Sequence, residues 1–225
     1  MRTLIGLVGL KGCGKDTAAD MLAAHGFARM AFADELYREV ARAYAVTPYF
    51  LGRRETKETP LERLALKYCW DDRFVGLFTA DEVCAGLEFD EVLSAPRSPR
   101  WLLQQWGTEY RRKSRWGRDD YWVDPVMRKI DANPRGAKIV LADVREAAEV
   151  HAIRARGGHL VRIRRRKVEE EDAQAVRTGC AAARHSSETL ARECVVDFEV
   201  QNVEGDPHAM RRALESYLAQ LKSAA

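Results

Sequence analysis

The chain has 225 residues, 46% of them hydrophobic, so it can bury a sizeable core, and its length suits one α/β domain carrying an insertion. Its 37 Lys and Arg against 34 Asp and Glu leave a net charge of +3, which fits a protein handling small anions and is too weak to indicate a nucleic-acid partner. No apolar stretch reaches the ~18 residues of a membrane span, the first residues lack a signal-peptide pattern, and five cysteines without a C-x-x-C motif read as reduced thiols of a cytosolic protein.

The apolar run Thr3 to Val8 predicts a first strand, buried on both faces as a central parallel strand should be. Lys15 to His25 predicts a helix stopped by Gly26, Phe27 to Phe32 a short strand, and Asp34 the N-cap of a helix through Ala45. From Gly52 to Ser98 the sequence is irregular and heavily charged, with a helical patch from Leu61 to Trp70, and reads as an insertion over the sheet's edge. Arg100 to Tyr110 and Tyr121 to Asp131 carry helical periodicity. Lys138 to Ala142 predicts a buried strand ending at Asp143, Glu146 to Arg156 a helix, Leu160 to Ile163 a strand, Val196 to Val200 a last strand, and Pro207 to Leu221 an amphipathic helix. Strands alternating with helices imply a parallel sheet covered on both faces. The expected layout is a single domain with a core over 1–50 and 134–225, an insertion near 51–133 and a lid near 165–188.

Residues 9–17 read Gly-Leu-Lys-Gly-Cys-Gly-Lys-Asp-Thr, between the first strand and the first helix. Glycines let backbone N–H groups turn inward on a polyphosphate, the lysine adds charge, and the helix N-terminus adds its partial charge. The spacing is that of a phosphate-binding loop except that Asp16 stands at the Ser/Thr place and Thr17 follows. Lys15 can follow charge as it moves onto a leaving oxygen. A carboxylate among phosphates needs a metal between them, so Asp16 is expected to touch Mg²⁺ through water, with Thr17 holding a phosphate; the alternative is that Asp16 only caps the helix. Asp143 ends a strand at the edge where α/β proteins gather ligands, and either orients Mg²⁺-bound water or a substrate hydroxyl, or caps the next helix. Arg145 faces the same edge and can clamp a phosphate bidentately. Arg162, Arg164, Arg165, Arg166 and Lys167 open a polar stretch that reads as an arginine-bearing lid, in which His185 is structural. Arg54 and Arg100 lie where an acceptor anion would be covered. Trp101, Trp106 and Trp122 each read more readily as core than as a base-stacking platform, and Trp122 is the best stacking candidate of the three.

Together these motifs resemble the deoxynucleoside monophosphate kinases of tailed bacteriophages and related bacterial sequences. The resemblance runs from end to end and rests on 9–20, on Pro-Arg-Trp-Leu-Leu-Gln-Gln-Trp-Gly-Thr-Glu at 99–109, on Asp-Tyr-Trp-Val at 120–123, on Asp-Val-Arg at 143–145 with Glu149 beyond, and on His-Ser-Ser-Glu at 185–188. It implies a P-loop NTPase fold of the nucleoside monophosphate kinase type, with an acceptor-binding insertion and a lid. It also implies transfer of the γ-phosphoryl of ATP to a deoxynucleoside 5′-monophosphate with Mg²⁺, in the cytoplasm, without nucleic acid or membrane; a homodimer suits such an enzyme. Gly12, Cys13, Gly14, Lys15, Asp16 and Thr17 match the ATP loop, and Arg165 the lid arginine. Lys11, Leu36, Tyr37, Arg54, Arg100, Gln104, Gly107, Thr108, Trp122, Asp143, Arg145 and Glu149 match the acceptor side, although Tyr37 stands where the phage pattern has a lysine and Arg166 where it has a proline. The rival readings are a P-loop kinase of another phosphorylated metabolite and a nucleotide-binding module without turnover.

Overall fold

The computed structural model describes residues 2–179 and 186–223; His185 and Cys180 lie outside them. Five parallel strands form one sheet in the order β2-β3-β1-β4-β5. They are β1 (Thr3–Val8), β2 (Ala28–Met30), β3 (Lys138–Leu141), β4 (His159–Arg164) and β5 (Phe198–Gln201). Strand β1 is central, pairing with β3 through Ile5↔Val140 and with β4 through Leu7↔Val161. Its residues from Leu4 to Val8 are all buried, which explains an apolar run without alternation.

Two helices complete the core on one face of β1. Helix α1 (Lys15–Ala24) turns Ala18, Ala19 and Leu22 inward. The C-terminal helix Pro207–Ser223 contributes Met210, Leu214 and Tyr217, and both join Ile5, Leu7, Val161 and Val200 in one cluster. On the other face Gly6 leaves room for the helix Ala147–Arg154. A methyl on Gly6 would lie 2.7 Å from Ile153 Cδ1 and 3.0 Å from Leu160 Cδ2 and Val144 Cγ2. The missing side chain thus lets helix and strand approach.

The chain divides into two compact units, Met1–Phe32 with Val126–Ala225, and Ala33–Pro125. The second unit begins well before residue 51 because helix α2 (Ala33–Ala43) buries Val40, Ala41 and Ala43 among that unit's own apolar residues. Asp34 is therefore inside the first turn of α2 and not its cap. The charged segment expected to be irregular contains the helices Asp72–Cys84 and Phe89–Ser94, while the Leu61–Trp70 patch resolves into two 3₁₀ turns, Glu62–Leu64 and Leu66–Tyr68. Asp71 starts the first of these helices, its carboxylate accepting from the N–H groups of Arg73 and Phe74 at 3.1 and 3.0 Å. The region expected as one helix over Arg100 to Tyr110 is an α-helix, Pro99–Gln104, continued by a π-helix, Gln105–Lys113.

Because the site at the head of β1 depends on this packing, Gly6→Val should cost ~1–3 kcal/mol of stability through overpacking against Ile153. Urea denaturation reads the change, and an unshifted midpoint would mean that the helix can ride off the strand freely.

Candidate active site

Strand β1 ends at Val8 and the chain turns through Gly9 to Gly14 before α1 begins at Lys15. Gly14 is the N-cap residue in the left-handed region, φ 107°, and a Cβ there would lie 2.5 Å from Asn202 Nδ2. Gly9, φ 153°, is confined as well, since its Cβ would meet the Ile163 carbonyl oxygen at 2.5 Å. A side chain at either place would push the loop off the sheet edge.

The Lys15 ammonium folds back over this loop. Its Nζ donates to the carbonyl oxygens of Gly9 at 2.5 Å and Leu10 at 3.0 Å and lies 3.9 Å from Cys13 Sγ. Its pKa is lowered, first by burial and then by the nearby Arg145 guanidinium, against opposing pulls from Cys13, Glu188 and Asp16. Arg145 and Lys15 are thus brought together, two cations in one neighbourhood. Cys13 is itself buried, which pushes its thiol pKa up. It is a packing residue whose carbonyl accepts from Asn202 Nδ2 at 2.9 Å. Asn202, just after β5, was missed by the sequence reading; the available signal was a polar side chain at the carboxyl end of a strand.

Asp16 points outward from the first turn of α1 and pairs with Arg29 of β2, which also holds Asp20 at 2.6 Å. It makes no cap, since Gly14 occupies that place and no side chain caps α1. Thr17 is exposed beside it, and Lys11 is exposed with its backbone N–H directed at Glu188 Oε2, 3.4 Å away. Asp143 is not the cap of the following helix either. Its Oδ1 accepts from the Phe32 N–H at 2.8 Å, and the cap is Glu146, in a reciprocal box with Glu149. Glu149 is 2% exposed, and its Oε2 accepts from the backbone N–H groups of Arg145 at 2.7 Å and Glu146 at 3.1 Å. A carboxylate so placed positions Arg145; the resemblance had set it on the acceptor side.

The basic run divides by partner. Arg162 bonds the carbonyls of Ala191 and Cys194 and pairs with Glu199, and Arg164 pairs with Glu169 and Glu199, so both brace strand β4. Arg166, at the start of the helix Arg166–Arg177, pairs with Glu170 on the surface. Arg165 differs. Its Nη2 donates to Glu204 at 2.6 Å while its Nε is buried without an acceptor. A cavity of about 550 Å³ beside the loop is lined by Gly9, Leu10, Cys13, Arg165 and Val168. Arg165 and the loop therefore share one cavity.

The remaining residues matched to the acceptor lie in the second unit. Arg54 and Gln104 are exposed, and Arg100 pairs through Nε with Glu58 at 2.9 Å. Gly107 sits in the π-helix under Leu36, where a Cβ would lie 3.0 Å from Leu36 Cδ2, and Thr108 beside it is half-buried. Tyr37 accepts a hydrogen bond from Lys57. Trp122, expected as a stacking platform, is 3% exposed, and its indole N–H donates to the Gly107 carbonyl at 3.1 Å. It is a core residue that holds the π-helix.

A strand, a glycine turn and a helix headed by lysine, on the central strand of a parallel sheet in this order, define a P-loop phosphate-handling protein. No family model matches the chain. It is 30% identical over 190 residues to an Acanthamoeba polyphaga mimivirus protein named "Putative deoxynucleotide monophosphate kinase", over 75% of this chain and 77% of that protein. The chain belongs to the deoxynucleotide monophosphate kinase family, and is thereby a phosphotransferase of the nucleotide kinase class. The crystal structure of TT1252 from Thermus thermophilus aligns over 98% of both chains with 20% identity and a TM-score of 0.43, a likeness too low to bear on function. Among the described residues no helix is long and apolar enough to cross a membrane, and no group of three or more His, Cys, Asp or Glu is arranged to hold a metal.

Burial and Arg145 hold the Lys15 pKa below its ordinary value, and an arriving polyphosphate would raise it again. ATP binding should then take up protons at alkaline pH, and affinity should fall as pH rises through the pKa of the free loop. Calorimetry in two buffers of different ionisation heat reads this uptake, and a wild-type protein that takes up no more than Lys15→Met would exclude it.

Proposed function

We propose that this protein transfers the γ-phosphoryl group of ATP to a deoxynucleoside 5′-monophosphate, giving ADP and the diphosphate. The observation that carries the reading is the Lys15 ammonium held at the mouth of the loop beside Arg145, in a chain of this family.

The chemistry follows from charge. An acceptor phosphate oxygen attacks the γ-phosphorus, the bond to the β,γ-bridging oxygen breaks, and negative charge moves onto the leaving diphosphate. In this reading the N–H groups of Gly12, Gly14 and Thr17 face the polyphosphate, while the Cys13 N–H closes the loop on the Leu10 carbonyl at 3.3 Å. Lys15 exchanges the carbonyls of Gly9 and Leu10 for phosphate oxygens and follows the charge onto the leaving group. Arg145, its backbone held by Glu149, neutralises a phosphoryl oxygen. Arg165, with a buried donor still unused and lining the cavity beside the loop, does so as well. Arg54 and Arg100 bind the acceptor's phosphate.

Mg²⁺ favours oxygen ligands, keeps several waters and commonly binds through one or two carboxylates plus phosphates. A site with Asp16 exposed at the loop and Asp143 just past the end of β3 offers two carboxylates of that kind. Asp16 and Asp143 would hold it through water, and it would supply neutralising charge on the phosphates. The paired state of Asp16 with Arg29 means that this carboxylate must exchange partners when the metal arrives.

A coupled ADP-release assay with ATP, Mg²⁺ and a panel of ribo- and deoxynucleoside monophosphates tests the reaction. Turnover confined to a phosphorylated non-nucleotide would replace the reading, and nucleotide binding without ADP release would end it. Lys15→Ala should lower turnover at least ~10²-fold in a folded protein; turnover near normal would remove Lys15 from this role. Arg165→Ala should lower turnover with little change in melting temperature, because a partly exposed pair such as Arg165–Glu204 contributes only ~0–1 kcal/mol. A large drop in melting temperature with normal turnover would make Arg165 structural.

A further inference from the structure

Lys57 belongs to no motif and carries no role so far. It follows the short helix Pro48–Gly52, and its ammonium donates to Tyr37 Oη at 2.6 Å while lying 5.3 Å from the centre of the Tyr37 ring. Tyr37 comes from α2, and the loop passes close to its ring: a Cβ on Gly52 would lie 3.7 Å from Tyr37 Cε1. The Lys57 carbonyl accepts from the Arg100 N–H at 2.9 Å, which ties this segment to the first turn of the helix Pro99–Gln104. Tyr37 therefore fixes the direction of the ammonium, and the Arg100 N–H fixes the backbone that carries it, within one compact unit.

The charge balance is unusual for a surface lysine. Lys57 is half-buried, and it makes no ion pair among the described residues. The adjacent Glu58 is taken by Arg100. An ammonium has three donors and no acceptor, and here one donor meets a neutral phenol. A partly desolvated cation with a neutral partner is costly unless an anion completes it. The hydrogen bond also fixes the polarity of its partner. Because Tyr37 Oη accepts from Lys57, the phenolic proton must point elsewhere and is a donor in its turn. Two donors side by side, one charged, suit a ligand that only accepts: a phosphomonoester dianion. Arg54 lies three residues earlier in the same loop, and Arg100, its backbone N–H bonded to the Lys57 carbonyl, belongs to the adjoining helix with its guanidinium on Glu58.

We infer that Lys57 binds the phosphate of the acceptor nucleotide and that Tyr37 positions its ammonium while offering a second donor to the same phosphate. This rests on the proposed transfer to a monophosphate acceptor. It adds a binding residue from the charged loop and gives Tyr37 a chemical task.

The experiment is steady-state kinetics with ATP and dTMP or dGMP, whichever the wild-type protein uses, on Lys57→Met, Lys57→Arg and Tyr37→Phe, with calorimetric titration of inorganic phosphate into each protein without ATP. Loss of a charge-assisted contact should raise the acceptor's KM at least ~10-fold in Lys57→Met, with the KM for ATP changed less than ~2-fold. Tyr37→Phe should give a smaller rise of about 3-fold, and Lys57→Arg, which keeps the charge, should stay within about 3-fold of wild type. Wild-type turnover of a nucleotide with the acceptor KM unmoved in Lys57→Met and Tyr37→Phe would overturn the inference and leave the kinase reading intact. If no monophosphate is turned over, the kinase reading falls, and the phosphate titration decides alone: binding that weakens in Lys57→Met supports an anion site, and equal or absent binding in both proteins overturns it. Should Lys57→Met fail to fold, Tyr37→Phe and Lys57→Arg carry the same comparison.

Discussion

The head of β1 is built around an ammonium whose hydrogen bonds go to uncharged acceptors. Lys15 bonds the carbonyl oxygens of Gly9 and Leu10, partial charges only, and the Arg145 guanidinium lies close enough to disfavour its protonation. A fold that buries an ammonium beside a second cation gives up stability, and it recovers that free energy when a polyanion enters. The surrounding structure serves this arrangement. Gly9 and Gly14 bring the loop within touching distance of Ile163 and Asn202, Asn202 holds the Cys13 carbonyl, and Glu149 holds the Arg145 backbone. The residues that secure the loop are neutral or have their charge spent on backbone N–H groups, so they do not compete with Lys15 for the ligand.

The same logic explains why the strand, turn and helix at the loop were legible in the sequence and other parts less so. A glycine turn between a buried strand and a helix is a local pattern, and its chemistry lies in consecutive residues; Lys15, Gly12 and Gly14 were legible for that reason. Arg145, four residues past the end of β3, was singled out from the rule that ligands collect at strand ends. Glu149 was placed on the acceptor side by resemblance, yet its environment is decided by a capping box that is itself visible as Glu146 followed three residues later by Glu149. Asn202, Glu188 and Glu204 act on the loop and on Arg165 from distant parts of the chain, and no spacing rule connects them.

The charged stretch between Gly52 and Ser98 shows the other limit. Its helix Asp72–Cys84 buries only Phe74, Phe78 and Thr79, with Gly76 in the interior, so the apolar stripe is narrow and the helical period faint. The cap was nevertheless present in Asp71, which accepts from two backbone N–H groups. Trp122 misled for a physical reason. A tryptophan after a polar loop has the same sequence signature whether its ring faces a ligand or the core, and only the partner of its N–H separates the cases. Here that partner is the Gly107 carbonyl.

That hydrogen bond bears on why the second unit keeps a π-helix. A widened turn loosens the regular i→i−4 pattern and is commonly retained where it aims a side chain. Across Gln105–Lys113 it turns Arg111 toward the rings of Tyr110, Tyr121 and Trp106, 4.2, 5.3 and 5.6 Å from its guanidinium carbon. The same guanidinium pairs with Glu39, and Tyr110 Oη donates to the Asp71 carboxylate. Burial and this carboxylate push the Tyr110 pKa up to about 12, so it stays a neutral donor. Asp71 therefore joins the start of one helix to the interior of another, and Glu39 joins α2 to the π-helix through Arg111. A cation enclosed by aromatic faces and two carboxylates has its charge paired, although its Nε finds no acceptor, whereas Lys57 in the same unit has no carboxylate partner. That contrast separates them: Arg111 holds the frame, while Lys57, with a phenol for its partner, remains open to a ligand.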